Sequence, residues 1–310
     1  MEKYQGWIYP GFPAQNSPTT YRQNKIDVLK PEYFTITDSG ILSLIQYVAT
    51  NPSETSNAYS IQNVADIKAN SSEQYVTVSS GITGMRNFFQ ISSSQKNTIN
   101  ILVSFVVDNG LTGIEIDFEN FGQWTSTDYA NYKNLLIALS KALHAKGKKL
   151  SVCGPTWSGD PSISPFPNWN YADFVSLGID QMCPMIYDNQ YDVGGGAPVC
   201  PFAWLESWAK YLLTIFGPEV LVAGIPAYGY TATSGKWDIK ILTLDQVKAL
   251  NGYSSATRDP ASGEMILNVG NKVFVSSDST SLDLKRQILI KCGVKYVSVW
   301  HLGGNDWFTS

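Results

Sequence analysis

Apolar residues along this chain fall into short runs with two alternating spacings. Alternation with period 2 marks strands, where neighbouring side chains face opposite ways, and a spacing of three or four marks helices. Strands are expected at Gly6–Tyr9, Tyr33–Thr37, Tyr75–Ser80, Leu111–Glu119, Leu150–Cys153, Gln181–Tyr187, Val220–Ile225 and Tyr296–Trp300. Helical spacing covers Ala58–Ala69, Gln95–Val107, Thr127–Lys146, Tyr171–Leu177, Pro201–Phe216 and Leu282–Lys291. Asn109-Gly110 stops the second of these helices and Cys292-Gly293 the last. Thr127 is expected to cap the long helix at its N-terminus and Gly147 at its C-terminus. A longer piece separates the last two strands. Within it, Leu244–Leu250 is helical, and Glu264–Leu267 with Lys272–Val275 forms a hairpin around Val269-Gly270-Asn271.

Strands separated by helical patterns imply a parallel sheet. Eight such units in 310 residues fit a (β/α)8 TIM barrel of the α/β class better than an open doubly wound sheet. The expectation is one domain over residues 1–310, with a small α+β insertion at about residues 231–280 between the seventh and eighth strands. A glycine-rich dinucleotide fingerprint follows none of the strands, which weakens a nucleotide-binding reading.

One strand carries candidate chemistry. In Leu111-Thr112-Gly113-Ile114-Glu115-Ile116-Asp117-Phe118-Glu119, period 2 sends Ile114, Ile116 and Phe118 to one face. Glu115, Asp117 and Glu119 share the other face, roughly 7 Å apart from one to the next. The bland reading is a surface strand with a solvated acidic side. The sharper one is a buried row of coupled acids, one of them kept protonated as a general acid. Apolar helices on both flanks favour the buried row.

Composition narrows the field. A net charge of −4 implies no basic surface for nucleic acid. Apolar runs are too short to span a bilayer. Nine Trp and seventeen Tyr supply flat apolar faces of the kind that stack on sugar rings, although both are ordinary core residues too. Cys153, Cys183, Cys200 and Cys292 contain no Cys-x-x-Cys pair, and the two histidines are too few for a multi-histidine metal site. No metal and no cofactor is expected. Cys153 and Cys183 lie in apolar runs, where a buried free thiol is the default. Met1–Gly6 show no signal-peptide core. A removed signal, another export route and retention inside the cell are all compatible with that.

A barrel places its active site at the C-terminal ends of its strands. Glu119 ends the fourth strand. The other ends carry Tyr9, Ser79-Ser80-Gly81, Pro155 followed by Trp157, Tyr187-Asp188, Tyr228 and Trp300. One terminal acid ringed by aromatics suits binding a sugar polymer and protonating a glycosidic oxygen.

With those residues in place, the chain resembles glycoside hydrolase family 18, the chitinases and their relatives, over nearly its whole length. Gly113–Glu119 looks like the family's Asp-x-Asp-x-Glu strand. Tyr75–Gly81 is similar to its Ser-x-Gly strand, and Met185-Ile186-Tyr187-Asp188 to its Met-x-Tyr-Asp motif. Gly224–Gly229 is similar to its seventh strand, and Val297–Trp300 to the strand ending in the Trp beneath the cleaved sugar. The resemblance implies hydrolysis of β-1,4 linkages in N-acetylglucosamine oligo- or polysaccharides, most simply chitin. It implies a secreted or extracellular monomer. Family 18 is one of the known exceptions to the two-carboxylate scheme, because its substrate supplies the nucleophile. Glu119 would then be the general acid and Asp117 would orient the sugar's acetamido group. Glu115 would hold Asp117 through a shared proton, and Tyr187 would hydrogen-bond the acetamido carbonyl. Trp300 would form the floor, with Asp188, Met185, Tyr228, Tyr9 and Trp157 lining the cleft.

The chain departs from the family pattern at several positions. Thr112 stands where an Asp is usual, and the inner acid is Glu115 rather than Asp, which moves its carboxyl about 1.3–1.5 Å further out. Phe118 replaces the common Trp, and Ile82 the second Gly after Ser79. Phe before the catalytic acid also suits relatives that cleave peptidoglycan or an N-glycan core. A non-catalytic, sugar-binding lectin is a third reading, and retention of Glu119 speaks against it.

Overall fold

The computed structural model describes residues 3–10, 16–45 and 58–309. The chain begins with β1 (Lys3–Ile8), α1 (Ser17–Gln23), β2 (Val28–Ile36), β3 (Leu42–Leu44), α2 (Ile61–Ala69) and β4 (Glu73–Ser80). It continues through α3 (Ile82–Gln90), α4 (Ser92–Asp108), β5 (Gly113–Phe118), α5 (Ser126–His144), β6 (Lys149–Gly154), β7 (Gln181–Pro184), α6 (Asn189–Val193) and α7 (Phe202–Phe216). Next come β8 (Val222–Pro226), β9 (Gly229–Thr233), β10 (Lys240–Leu242), α8 (Leu244–Lys248), β11 (Thr257–Arg258), β12 (Met265–Val269) and β13 (Lys272–Ser276). The last elements are α9 (Ser279–Cys292) and β14 (Tyr296–Trp300).

Parallel strands run in the order β7-β6-β5-β4-β2-β1-β14-β8. Parallel bridges Met182↔Leu221 and Met185↔Gly224 bring β7 back to β8. This is the expected (β/α)8 barrel. The acidic strand lies in the wall of the barrel, and all six residues of β5 are buried. Ile114, Ile116 and Phe118 join the core under the helices, where Phe118 meets Tyr132 of α5 at 5.8 Å between ring centroids. Burying such side chains stabilises by about 1.5–3 kcal/mol each, which ties the opposite, acidic face into the barrel. Gly113 makes the β5–β6 contact possible, since a Cβ there would sit 2.1 Å from the Lys149 carbonyl oxygen.

The long helix starts two residues earlier than expected. Its N-cap is Thr125, not Thr127: Thr125 Oγ1 accepts from the Asp128 N–H (3.1 Å), and the Asp128 carboxylate accepts from the Thr125 N–H (2.8 Å). The reciprocal pair satisfies two otherwise orphaned donors, an advantage Thr127 lacks. At the other end Ala145 is the cap, and Gly147 follows it with φ +65°. The second strand also differs. It begins at Val28 and carries a bulge between Glu32 and Phe34.

Between β8 and β14 stands an antiparallel sheet in the order β10-β9-β13-β12-β11, together with α8. It contains the expected hairpin. Glu264 fastens it to the barrel: this fully buried carboxylate accepts from the Val199 and Cys200 N–H groups (2.8 and 2.9 Å) and from Lys285 Nζ of α9 (2.9 Å). Among the described residues, no helix is long and apolar enough to cross a membrane.

Candidate active site

Glu119 follows β5 directly, at the C-terminal rim. Its N–H donates to Ser80 O of β4 (3.3 Å) and its carbonyl accepts from Trp124 Nε1 (2.8 Å). Asn120 comes next in the left-handed region (φ 61°), a conformation Asn tolerates. Its Oδ1 accepts from the Ile82 N–H at the start of α3 (3.2 Å). The backbone around Glu119 is thus held on both sides, while its carboxyl makes no hydrogen bond to the described residues.

A pocket of about 270 Å³ opens at this rim. It is lined by six of the residues expected from sequence: Asp117, Glu119, Met185, Tyr187, Asp188 and Trp300. Phe121, Pro155, Thr156 and Phe166 complete it. Sequence reading puts Pro155 at a strand end but misses the other three, because loop residues carry no period that would assign them a face.

Glu119 stands where solvent reaches it from the pocket mouth, with protein close on its other sides. Partial desolvation there, with the Asp188 and Glu32 carboxyls nearby, raises its pKa to about 7. Asp117 is buried, and its Oδ1 has no hydrogen-bond partner among the described residues. Burial first, then the charges of Glu119, Glu32 and Glu115, push the Asp117 carboxyl well above the ordinary range. Asp188, in the left-handed region at φ 72°, is raised by burial although Tyr228 and Gln190 bond to it. Trp300 is braced edge-on by Trp7 and Tyr9, with ring centroids at 5.9 and 5.8 Å. Gly224 leaves room beneath: a Cβ there would stand 2.7 Å from the Pro184 carbonyl and press on Trp7 and Tyr187.

The other expected residues lie outside the pocket wall. Trp157 is buried behind it, contrary to its expected lining role. Its Nε1 donates to Asp160 O (3.0 Å), and its own carbonyl accepts from Trp204 and Trp208 Nε1 (2.7 and 3.3 Å). Its ring packs edge-on against Trp208 and Phe166, with centroids at 4.5 and 5.7 Å. Tyr228 is buried as well, and its hydroxyl donates to Asp188 Oδ1, so it holds a lining residue instead of being one. Tyr9 stays partly exposed beside Trp300.

Glu115 differs most from expectation. Among the described residues, no hydrogen bond joins its carboxyl to that of Asp117. Its carboxylate, wholly buried, accepts from Lys30 Nζ (2.5 Å), Trp7 Nε1 (2.5 Å), Ser151 Oγ (2.8 Å) and Thr77 Oγ1 (3.3 Å). The longer side chain reaches across the barrel to the Lys30 cation, where an Asp would fall short. Burial works against the Lys30 charge, but Cys183 and Glu115 beside it outweigh that and hold its pKa above the ordinary lysine value. Burial also pushes the Cys183 thiol up to about 12, so at neutral pH the ionic partner of Lys30 is Glu115. Cys153 and Cys183 are free and buried, as expected.

Comparisons with known proteins agree with this geometry. Residues 16–305 match the sequence profile described as Glycosyl hydrolases family 18. An uncharacterized glycosylase of Bacillus subtilis (strain 168), YvbX, is 27% identical over 230 residues, 69% of this chain and 64% of that protein, so the likeness spans less than two thirds of the relative. A chitinase from Chromobacterium violaceum ATCC 12472 has the same fold, with a TM-score of 0.78 at 21% identity over 99% of this chain and 96% of its own. So does the Bacillus megaterium QM B1551 spore cortex-lytic enzyme SleL, with a TM-score of 0.75 at 14% identity over 99% of this chain and 71% of its own. With the profile spanning almost the whole barrel and the strand-end acids gathered in one pocket, the chain belongs to glycosyl hydrolases family 18.

Proposed function

We propose that this protein is a glycosidase that hydrolyses β-1,4 linkages in polymers of N-acetylglucosamine, chitin and its oligosaccharides being the simplest, with retention at C1. The observation that carries the reading is Asp117 Oδ1. It is buried and unpartnered among the described residues, in a carboxyl that lines the same pocket as Glu119, Tyr187 and Trp300. Leaving a buried polar group unsatisfied costs about 1–3 kcal/mol. A ligand N–H placed there would remove that cost, and the 2-acetamido group of the sugar carries one.

The chemistry follows from that placement. Glu119, in its acid form, gives its proton to the glycosidic oxygen as the C1–O bond breaks. The acetamido carbonyl oxygen bonds to C1 and closes an oxazolinium ion, so no side-chain nucleophile is required; the family is a standing example of this scheme. Asp117 accepts the acetamido N–H and orients the group. Tyr187 donates to its carbonyl oxygen. Water then attacks C1 as the C1–O bond of the oxazolinium ion breaks and the acetamido group is restored, and the Glu119 carboxylate takes the water's proton, which restores the acid. Trp300 supplies an apolar floor for the sugar face. Met185 and Asp188 complete the wall, the latter held by Tyr228. An extracellular location follows from the same reading, since chitin lies outside cells.

A second reading, cleavage of peptidoglycan beside N-acetylglucosamine, is favoured by Phe118 before Glu119 and by the likeness in fold to a spore cortex-lytic enzyme. Mass spectrometry of digests of a chitin tetramer, peptidoglycan and a high-mannose glycan separates the two. Shorter N-acetylglucosamine oligomers from the tetramer are expected. Cleavage confined to peptidoglycan would transfer the assignment to the second reading, and no cleavage of any of the three would contradict both.

A further inference from the structure

The proline-containing stretch Lys30-Pro31-Glu32 supplies two charged groups to the barrel interior. Lys30 points inward onto Glu115, and Glu32, two residues on, shares that face. The bulge makes this possible. Glu32 pairs with Thr77 of β4, Phe34 with the next residue, Val78, and Tyr33 is the extra residue between them. Tyr33 and Phe34 can then both turn out to aromatic partners under the helices, Tyr59 and Phe105, while Lys30 and Glu32 both stay inside.

Glu32 is partly buried, which raises its own pKa, and the side chain of Ser79 of β4 lies close enough to its carboxyl to work against that rise. Ser79 is the ladder partner of Asp117. Tyr9 just past β1, Asp117 of β5 and Glu119 just past β5 all lie near enough to feel the Glu32 charge. On its own strand the nearest cation, Lys30, is already committed to Glu115. The acid that the family resemblance makes Asp117's partner is therefore engaged below, and a different carboxyl stands beside the pair.

We propose that Glu32 is a positioning residue of this site: its carboxylate, two residues past Lys30 as Asp117 is two past Glu115, keeps a proton on the Asp117–Glu119 pair in the place of the Lys30-clamped Glu115. It acts through Glu119 and touches no reacting atom. Like charges a few ångströms apart cannot all ionise near neutral pH, so the three carboxyls titrate as one group. The proposal rests on the reading of Glu119 as general acid for its catalytic consequence, but its electrostatic content is measurable without substrate.

The test is a ¹³C NMR titration of the glutamate side-chain carboxyls, with the Glu119 signal assigned by its absence in Glu119→Gln. In the wild type Glu119 is expected to titrate near 7. In Glu32→Gln its midpoint should fall by about one unit, whereas Glu32→Asp, which keeps the charge, should retain most of the wild-type value. With a cleaved substrate, kcat in Glu32→Gln should drop by about tenfold at alkaline pH, one unit being tenfold. It should change little at pH well below both midpoints, and KM should stay put. A merely structural role would lower activity at every pH alike. If Glu32→Gln does not fold, Ser79→Ala carries the test: without the nearby hydroxyl Glu32 ionises less readily, and the Glu119 midpoint should move the same way by less. An unmoved Glu119 midpoint in a folded variant overturns the proposal. A moved midpoint in an enzyme inactive on every N-acetylglucosamine polymer would uphold it and overturn the proposed substrate instead.

Discussion

Glu119→Gln is expected to lower kcat by about 10²–10⁴, the usual contribution of one general acid, with an unchanged melting transition. The fold does not depend on this carboxyl. It makes no hydrogen bond to the described residues, and the neighbouring backbone is held independently by Ser80, Trp124 and Asn120. Gln keeps the shape and loses the transferable proton. The pH dependence has a definite sign. Glu119 must enter the reaction protonated, and its pKa is raised to about 7. Wild-type activity should therefore fall as the pH rises through about 7, and the residual activity of Glu119→Gln should lack that limb. A folded Glu119→Gln enzyme with near-normal turnover would remove Glu119 from the mechanism.

Lys30→Met should have the largest effect on folding. Lys30 and Glu115 are both wholly buried, and Trp7 stacks against the ammonium at 4.7 Å. Removing one member of a buried pair leaves the other charge unpaired and costs about 3–5 kcal/mol. The pair itself is worth much less than that, because two desolvation costs offset its attraction. Lys30→Met combined with Glu115→Leu should therefore recover most of the lost stability. Denaturant unfolding of the wild type, the single variant and the double variant checks this. A single variant within about 1 kcal/mol of wild type would mean that water, rather than Lys30, satisfies Glu115. A double variant no better than the single would assign the loss to packing around Trp7.

The acidic strand was legible because both of its faces obey one rule. Ile114, Ile116 and Phe118 alternate with Glu115, Asp117 and Glu119, and nothing interrupts the period. Counting such runs was enough to reach the barrel, since a parallel strand needs a crossover and every crossover but the first, where α1 went unread, left a helical pattern. The second strand was read only from Tyr33 onward. Its bulge puts Tyr33 and Phe34 on the same side, so the alternation that would have marked Lys30 and Glu32 as inward-facing is broken at the next residue. Pro31 also reads as a strand breaker. The sequence thus hid the two charged groups that set Glu115 and Asp117 apart from the family pattern. It did signal that something differed, because the added methylene at Glu115 already required a new carboxyl position. Trp157 failed for another reason. An aromatic at a strand end is equally suited to a sugar face and to a core, and only the packing of its ring on Trp208 and Phe166 decides between them.

The central claim is that the acetamido group of the substrate, oriented by Asp117 and assisted by the Glu119 proton, is the nucleophile. Its most direct test is ¹H NMR of the reducing ends released in the first minutes of hydrolysis of a β-1,4-linked N-acetylglucosamine tetramer, before mutarotation. Participation shields one face of C1, and water then enters on the side the leaving group vacated. The β-anomer should appear first and the α-anomer only later, by mutarotation. Fresh product that is mainly α would require direct attack by water with inversion, and would contradict the account.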